Sequence, residues 1–400
     1  MAATDASAER SATADPDAVA TTPASPGKQP QERDGSLRAL VAAALALPGI
    51  LPATAAGQTA PDYSIVALRY LQYRDWQPGQ SRMTVKNPSL YVLRPLSETL
   101  TLEGNVVYDA MSGASPLAFN TLSGASGIGI TDYRTAGDIK LTKWFDRFNI
   151  GGSAYYSHER DFASRAFAGS GQWWTADKNT TLSFGFGGSD DNSFPTDRTI
   201  ADGRRQTLNF IFGITQAINP TAIVQSDITY DEGHGYYSDP YKLLDRRPNH
   251  RQTFAWLTRY NQYFPDPQGT LKLAYRWIHD SYGDISNMFE VGWVQPLPYE
   301  FAITPLVRYY DQSSANFWFG PPLGKGFRPG QDYTADNRLA AYGALTGAVN
   351  LSKALGSGWV VDFTYSFYRQ KPSWRLFGSG SPGIDTFSAS WFEVGLTVTY

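Results

Sequence analysis

The chain predicts an all-β fold: a transmembrane, antiparallel β-barrel of the outer-membrane type, with about 16 strands and a range of about 14–18. Three observations carry this. Polar and apolar residues alternate with a period of two over long segments, the mark of strands with two unlike faces. The connections alternate between short and long, as periplasmic turns and external loops do in such barrels. The chain closes on an apolar alternating strand ending in an aromatic, Phe392 to Tyr400.

Composition agrees and excludes several classes. The 400 residues include 11 Trp, 24 Tyr and 22 Phe but no Cys. There can be no disulfide scaffold, thiolate zinc site or cysteine nucleophile. A formal charge of −3 lacks the basic excess of a nucleic-acid binder. Only 18 % of residues are charged, and abundant aromatics argue against a disordered chain. Hydrophobic content of 42 % and a mean hydropathy of −0.35 resemble a soluble protein. Alternation accounts for this, because only every second residue need face lipid.

The first element is Leu37–Leu51, LRALVAAALALPGIL. It is too short to span a bilayer as a helix, which takes roughly 20 residues. Arg38 sits at its start, and small residues follow, with Ala53-Thr54-Ala55 or Thr54-Ala55-Ala56 as cleavage sites. The expectation is a secretory signal peptide, with a buried core helix as the alternative. Asp5, Glu9, Asp15, Asp17, Glu32 and Asp34 are unusual before such a segment. They point to a chain start upstream of the true one, or to a disordered extension. The division is therefore 1–56, extension and signal peptide, and 57–400, barrel domain.

Strands then read near 63–75, 82–94, 98–111, 132–143, 147–162, 166–176, 180–190, 204–217, 221–232, 251–264, 269–282, 286–296, 299–316, 338–353, 359–371 and 386–400. The alternation is weakest in the pair within 166–190; without it the count is about fourteen. Short turns fall at Arg94–Ser97, Trp144–Arg147, Ile218–Thr221, Phe264–Gly269, Pro296–Tyr299 and Ala354–Gly358. Longer loops fall near 112–131, 191–203, 233–250, 317–337 and 372–385. A β-sandwich would also alternate. Strand length, aromatics near strand ends and the two kinds of connection favour the barrel, which leaves no backbone amide unpaired in lipid. The last strand, with Phe392, Val394, Leu396, Val398 and Tyr400 on one face, looks like the assembly signal read by the barrel-assembly machinery.

Projecting the alternation inward gives lumen-facing Glu103, Asp109, Arg134, Asp138, Lys140, Asp227 and Asp362. The candidate polar cluster is Glu159, Asp161, Arg259, Arg276, Asp280, Glu290, Arg308, Tyr310 and Gln312. Of these, Glu159, Asp161, Arg276, Asp280 and Arg308 are expected together on the inner wall of the outer half. There they would shape a constriction or anchor infolded loops. Such charges can set ion preference in a pore. The alternative is a paired ladder that rigidifies or plugs the lumen.

Other motifs carry less. Asp231–Asp245, DEGHGYYSDPYKLLD, could bind a cation through oxygen but lacks EF-hand spacing, so a folded external loop is expected. Asp190, Asp191 and Asp197 read as a solvated acidic loop. His158, His234, His250 and His279 show no HExxH or paired spacing. His158 and His279 could face lipid as in outer-membrane phospholipases, but nothing pairs either with a serine. There is no GxSxG, phosphate loop or dinucleotide fingerprint, so no enzyme and no cofactor or metal is expected.

Several segments occur together: YDAMSGASP (108–116), SHERDFASRAF (157–167), GITQAINP (213–220), GYYSDPYK (235–242), YRWIHDSY (275–282) and RYYDQSSANFW (308–318). In this order the chain resembles a family of proteobacterial outer-membrane proteins of unknown function, DUF3570. The resemblance spans about 62–400 and implies an outer-membrane barrel, with no activity or catalytic residue attached. The expected location is the bacterial outer membrane, reached through the periplasm. Expected partners are outer-membrane lipid, lipopolysaccharide and the barrel-assembly machinery. The expected role is a porin-like channel for small solutes. The alternative is an accessory barrel that docks a partner and has a plugged lumen.

Overall fold

The computed structural model describes residues 58–113, 130–194, 203–239, 244–322 and 324–400. The signal segment, most of the 112–131 loop, Asp197, and residues 240–243 of the Asp231–Asp245 motif lie outside the described residues.

Sixteen antiparallel strands close into one barrel, each paired with its sequence neighbours. They are β1 (Ile65–Gln77), β2 (Gln80–Ser97), β3 (Leu100–Gly113), β4 (Ile130–Trp144), β5 (Phe148–His158), β6 (Phe162–Trp174), β7 (Thr180–Ser193) and β8 (Arg204–Asn219). The second half is β9 (Ala222–Gly235), β10 (His250–Phe264), β11 (Gly269–Asp280), β12 (Ile285–Leu297), β13 (Phe301–Gln312), β14 (Tyr342–Gly356), β15 (Trp359–Lys371) and β16 (Phe387–Thr399). β1 pairs with β16, Ile65 opposite Thr399, which closes the sheet and satisfies every edge.

The alternation sorts side chains by wall. On β8, Leu208, Phe210, Phe212 and Ile214 are exposed on the outside, while Arg205, Thr207 and Gly213 are buried on the inside. Outward faces elsewhere carry Ile139, Val291, Val307, Val349, Phe363 and Val394. Water would not tolerate so continuous an apolar belt; lipid requires it. Aromatics mark both rims of the belt. Phe145, Phe148, Trp173, Phe264 and Trp359 stand near the short turns, and Tyr108, Tyr133, Tyr156 and Phe254 toward the long loops.

The doubtful pair is real and forms β6 and β7. Its alternation is weak because glycine takes the outward positions of β6. Gly171 lies opposite Phe184 and Gly169 opposite Phe186. A Cβ at Gly171 would stand 2.2 Å from the Phe184 ring. The phenylalanines thus cover the bare backbone of the neighbouring strand. One expected turn is displaced: Arg94–Ser97 lies within β2, and the turn falls at residues 98–99, with Leu100 starting β3.

Candidate functional site

The inner wall and outer mouth gather the polar chemistry. On β9–β13 the lumen face carries cross-strand pairs. Glu290 and Arg308 are register partners, and Arg308 Nε donates to the Glu290 carboxylate at 2.7 Å. Arg259 lies 3.7 Å from Asp227, which also accepts from Gln225 at 2.9 Å. Arg276 sits opposite Leu257 and Met288, within electrostatic reach of Asp231. Arg308 and Arg259 are thus paired with carboxylates on neighbouring strands, while Arg276 acts on Asp231 through space.

The outermost candidates hold loops. Asp280 accepts from Arg251 at 2.7 Å and from the backbone amides of Tyr282 and Asp284, pinning the β11–β12 connection. Tyr310 donates to Gln312. The Gln312 amide in turn donates to the carbonyls of Arg338 and Ala340 at 2.8 and 2.7 Å. This ties the last part of the β13–β14 connection back to the end of β13.

Glu159 and Asp161 are buried but do not join Arg276, Asp280 and Arg308. They lie on the β5–β6 connection, where Glu159 is 4.0 Å from Arg134, itself paired with Asp109. β5 and β11 are six strands apart in the sheet, about 29 Å along the wall at the usual strand spacing. Arg276, Asp280 and Arg308 also have separate partners, Asp231, Arg251 and Glu290, so the expected cluster does not form as a single site. The acidic-loop expectation also changes. Asp190 and Asp191 belong to β7. Asp190 faces outward against Arg204. Asp191 is buried and accepts from Arg205 at 2.6 Å and Ser164 at 2.7 Å.

Two external connections interlock. Arg247 donates to Asp336 at 2.8 Å and to Asp245 at 3.0 Å. Arg338 reaches Asp239 at 3.3 Å. Arg246 and Tyr333 exchange backbone hydrogen bonds at 2.8 Å. Beneath them Tyr282, Ala315, Phe317 and Leu339 form a small apolar core, with Trp318 against it. Burial raises the Tyr282 phenol above its ordinary value, so it stays protonated and donates to the Pro248 carbonyl. The carboxylates of the 231–245 motif outside the strands are thus tied to arginine or backbone, as in a folded loop.

Three features escaped sequence reasoning. Arg69 and Glu393 join Asp362: Arg69 is 3.0 Å from Asp362 and 2.7 Å from Glu393. The one local signal is Gly395, a bare inward position between them. The second is a strap at the end with short turns. The buried Gln58 amide donates to the Lys178 carbonyl at 3.1 Å and the Thr181 hydroxyl at 3.0 Å. β1 and β7 are far apart in the wall, so residues 58–64 span a chord of that opening. The third is a pair of opposed histidines on the outer wall, His234 and His250. His158 and His279 face outward; His279 Nδ1 lies 3.2 Å from the Asp284 carbonyl, and His158 stacks between Tyr156 and Phe194.

A family model described as a protein of unknown function (DUF3570) matches residues 120–198 and 191–391. No curated protein matches the chain by sequence. Among solved structures, CdiB from Acinetobacter baumannii aligns at 12 % identity with a TM-score of 0.49, covering 84 % of this chain and 60 % of that one. A bacterial polysaccharide outer membrane secretin aligns at 8 % identity and TM-score 0.48, covering 84 % and 98 %. OccD3 (OpdP) from Pseudomonas aeruginosa aligns at 8 % identity and TM-score 0.44, covering 84 % and 91 %.

Proposed function

The chain belongs to the DUF3570 family of proteins of unknown function, and from that premise we propose that it is a passive channel for small polar solutes in the bacterial outer membrane. One observation carries the reading. Ile211 points into the lumen between Gly185 and Thr229, yet 42 % of its surface is accessible. The neighbouring inner wall is built from small residues, Ala168, Ser170, Ser183, Gly185 and Gly187. An apolar side chain this accessible from within, on a wall this thin, supports a water-filled path along β6–β8. The charged pairs of β9–β13 line the wall that adjoins this path at β8–β9 and would bias its ion preference. The protein would reach the membrane through the periplasm and fold with the barrel-assembly machinery among lipid and lipopolysaccharide.

Solute-dependent swelling of liposomes tests this. Swelling that declines with solute size supports the channel; its absence overturns it. The interlocked external connections favour a second reading, an accessory barrel whose capped mouth docks a partner. Absent swelling together with a discrete cross-linked partner at residues 313–341 would support that alternative.

A further inference from the structure

The antiparallel register of β9 and β10 places His250 directly opposite His234. Glu232 lies two residues before His234 and so shares its face of the sheet. Directly opposed side chains start about 5 Å apart at Cβ. Three groups separated by up to 18 positions in sequence thereby meet on the outer wall, at the end with the long loops. They point away from the lumen and share nothing with the channel path.

Their atoms are arranged as ligands. Glu232 Oε1 lies 3.2 Å from His250 Nε2 and 3.4 Å from His234 Nε2, and the three donor atoms all fall within 4.8 Å of one another. Tetrahedral ligands at about 2.0–2.1 Å from zinc stand about 3.3–3.4 Å apart. Two edges of a coordination face are therefore already at length. The rings stack with centroids 4.2 Å apart, so binding one ion requires the exposed His234 to turn out of the stack and aim its Nε2 lone pair at the position shared with His250 and Glu232. Gln252, opposite Glu232, hydrogen-bonds its carboxylate and orients it, the usual supporting shell of a ligand.

We propose that Glu232, His234 and His250 form a surface site for a divalent transition-metal ion of the zinc type. Two imidazoles and one carboxylate suit zinc, copper or nickel and disfavour calcium and magnesium, which prefer all-oxygen shells. Three protein ligands leave a fourth position open to solvent or an exogenous ligand.

The test is calorimetric titration of Zn²⁺ into the purified, tag-free barrel in detergent after chelator treatment. One ion per chain is expected for the wild type. Affinity should fall at least about tenfold in H234A, H250A and E232Q. It should be unchanged in H279A, which removes an outward histidine on β11. Heat-modified gel mobility confirms that each variant is folded. Should H250A fail to assemble, His250→Gln keeps a polar side chain of similar reach without the imidazole and must lose the ion. Wild type and H234A titrating alike, an equal loss in H279A, or no saturable binding at one equivalent would each overturn the proposal.

Discussion

Arg69 on β1 reaches across β16 to Asp362 on β15, over the bare Cα of Gly395. The side chains are almost fully buried and bond at 3.0 and 3.2 Å. Gly395 is the register partner of both residues. A Cβ there would stand 2.4 Å from Asp362 Oδ1 and 2.7 Å from Arg69 Nη1. The pair thus braces the seam where the first and last strands meet. Asp362→Ala should cost on the order of 3 kcal/mol, since it takes a carboxylate partner away from a buried guanidinium. Gly395→Val should act through the same contact. Urea unfolding in lipid vesicles should therefore give a double variant far less destabilised than the sum of the single ones.

Asp336 is fully buried between Arg247 and Arg338. Asp336→Ala removes the carboxylate that ties the two external connections together. Limited proteolysis should then cut within 313–341 faster than in the wild type. If these connections narrow the mouth, single-channel conductance in planar bilayers should rise as well. An unchanged digestion pattern would show that the remaining ties, among them Arg338–Asp239 and the Arg246–Tyr333 backbone bonds, hold the loops without Asp336.

The strap ending at Gln58 occupies the opposite opening. Deleting residues 58–63 should raise conductance without lowering unfolding stability, because those residues precede β1 and contribute no strand pairing. Gln58→Ala should produce part of the same rise. It removes both hydrogen bonds to the β6–β7 end while leaving the backbone in place.

Tyr400 exchanges backbone hydrogen bonds with Ser64 at 2.8 and 3.1 Å, and its ring is exposed on the outer wall. Tyr400→Ala preserves those backbone bonds. If the ring is read during assembly, cells should hold less folded protein, while protein refolded in detergent keeps its unfolding midpoint. A lowered midpoint with normal cellular yield would instead make the ring a packing element.

Period-two alternation is a local property, and local steric preference expresses it wherever a strand forms. That is why the inward faces of Arg308, Tyr310 and Gln312 and the outward faces of Phe392 to Tyr400 were legible in the chain alone. The weak pattern at Gly169 and Gly171 was misleading only until Phe186 and Phe184 were seen to cover them. Which inward groups touch is not local. It depends on register, closure and the path of the loops, and so Glu159 parted from Arg308 while Arg69 found Asp362. His234 and His250 lie 16 positions apart with no recognisable spacing, and only β9–β10 pairing makes them neighbours. The sequence by itself determined a lipid-facing barrel and the wall on which each residue stands, because alternation is written residue by residue. The tertiary structure decided every partnership across that wall, because pairing is set by where distant strands meet.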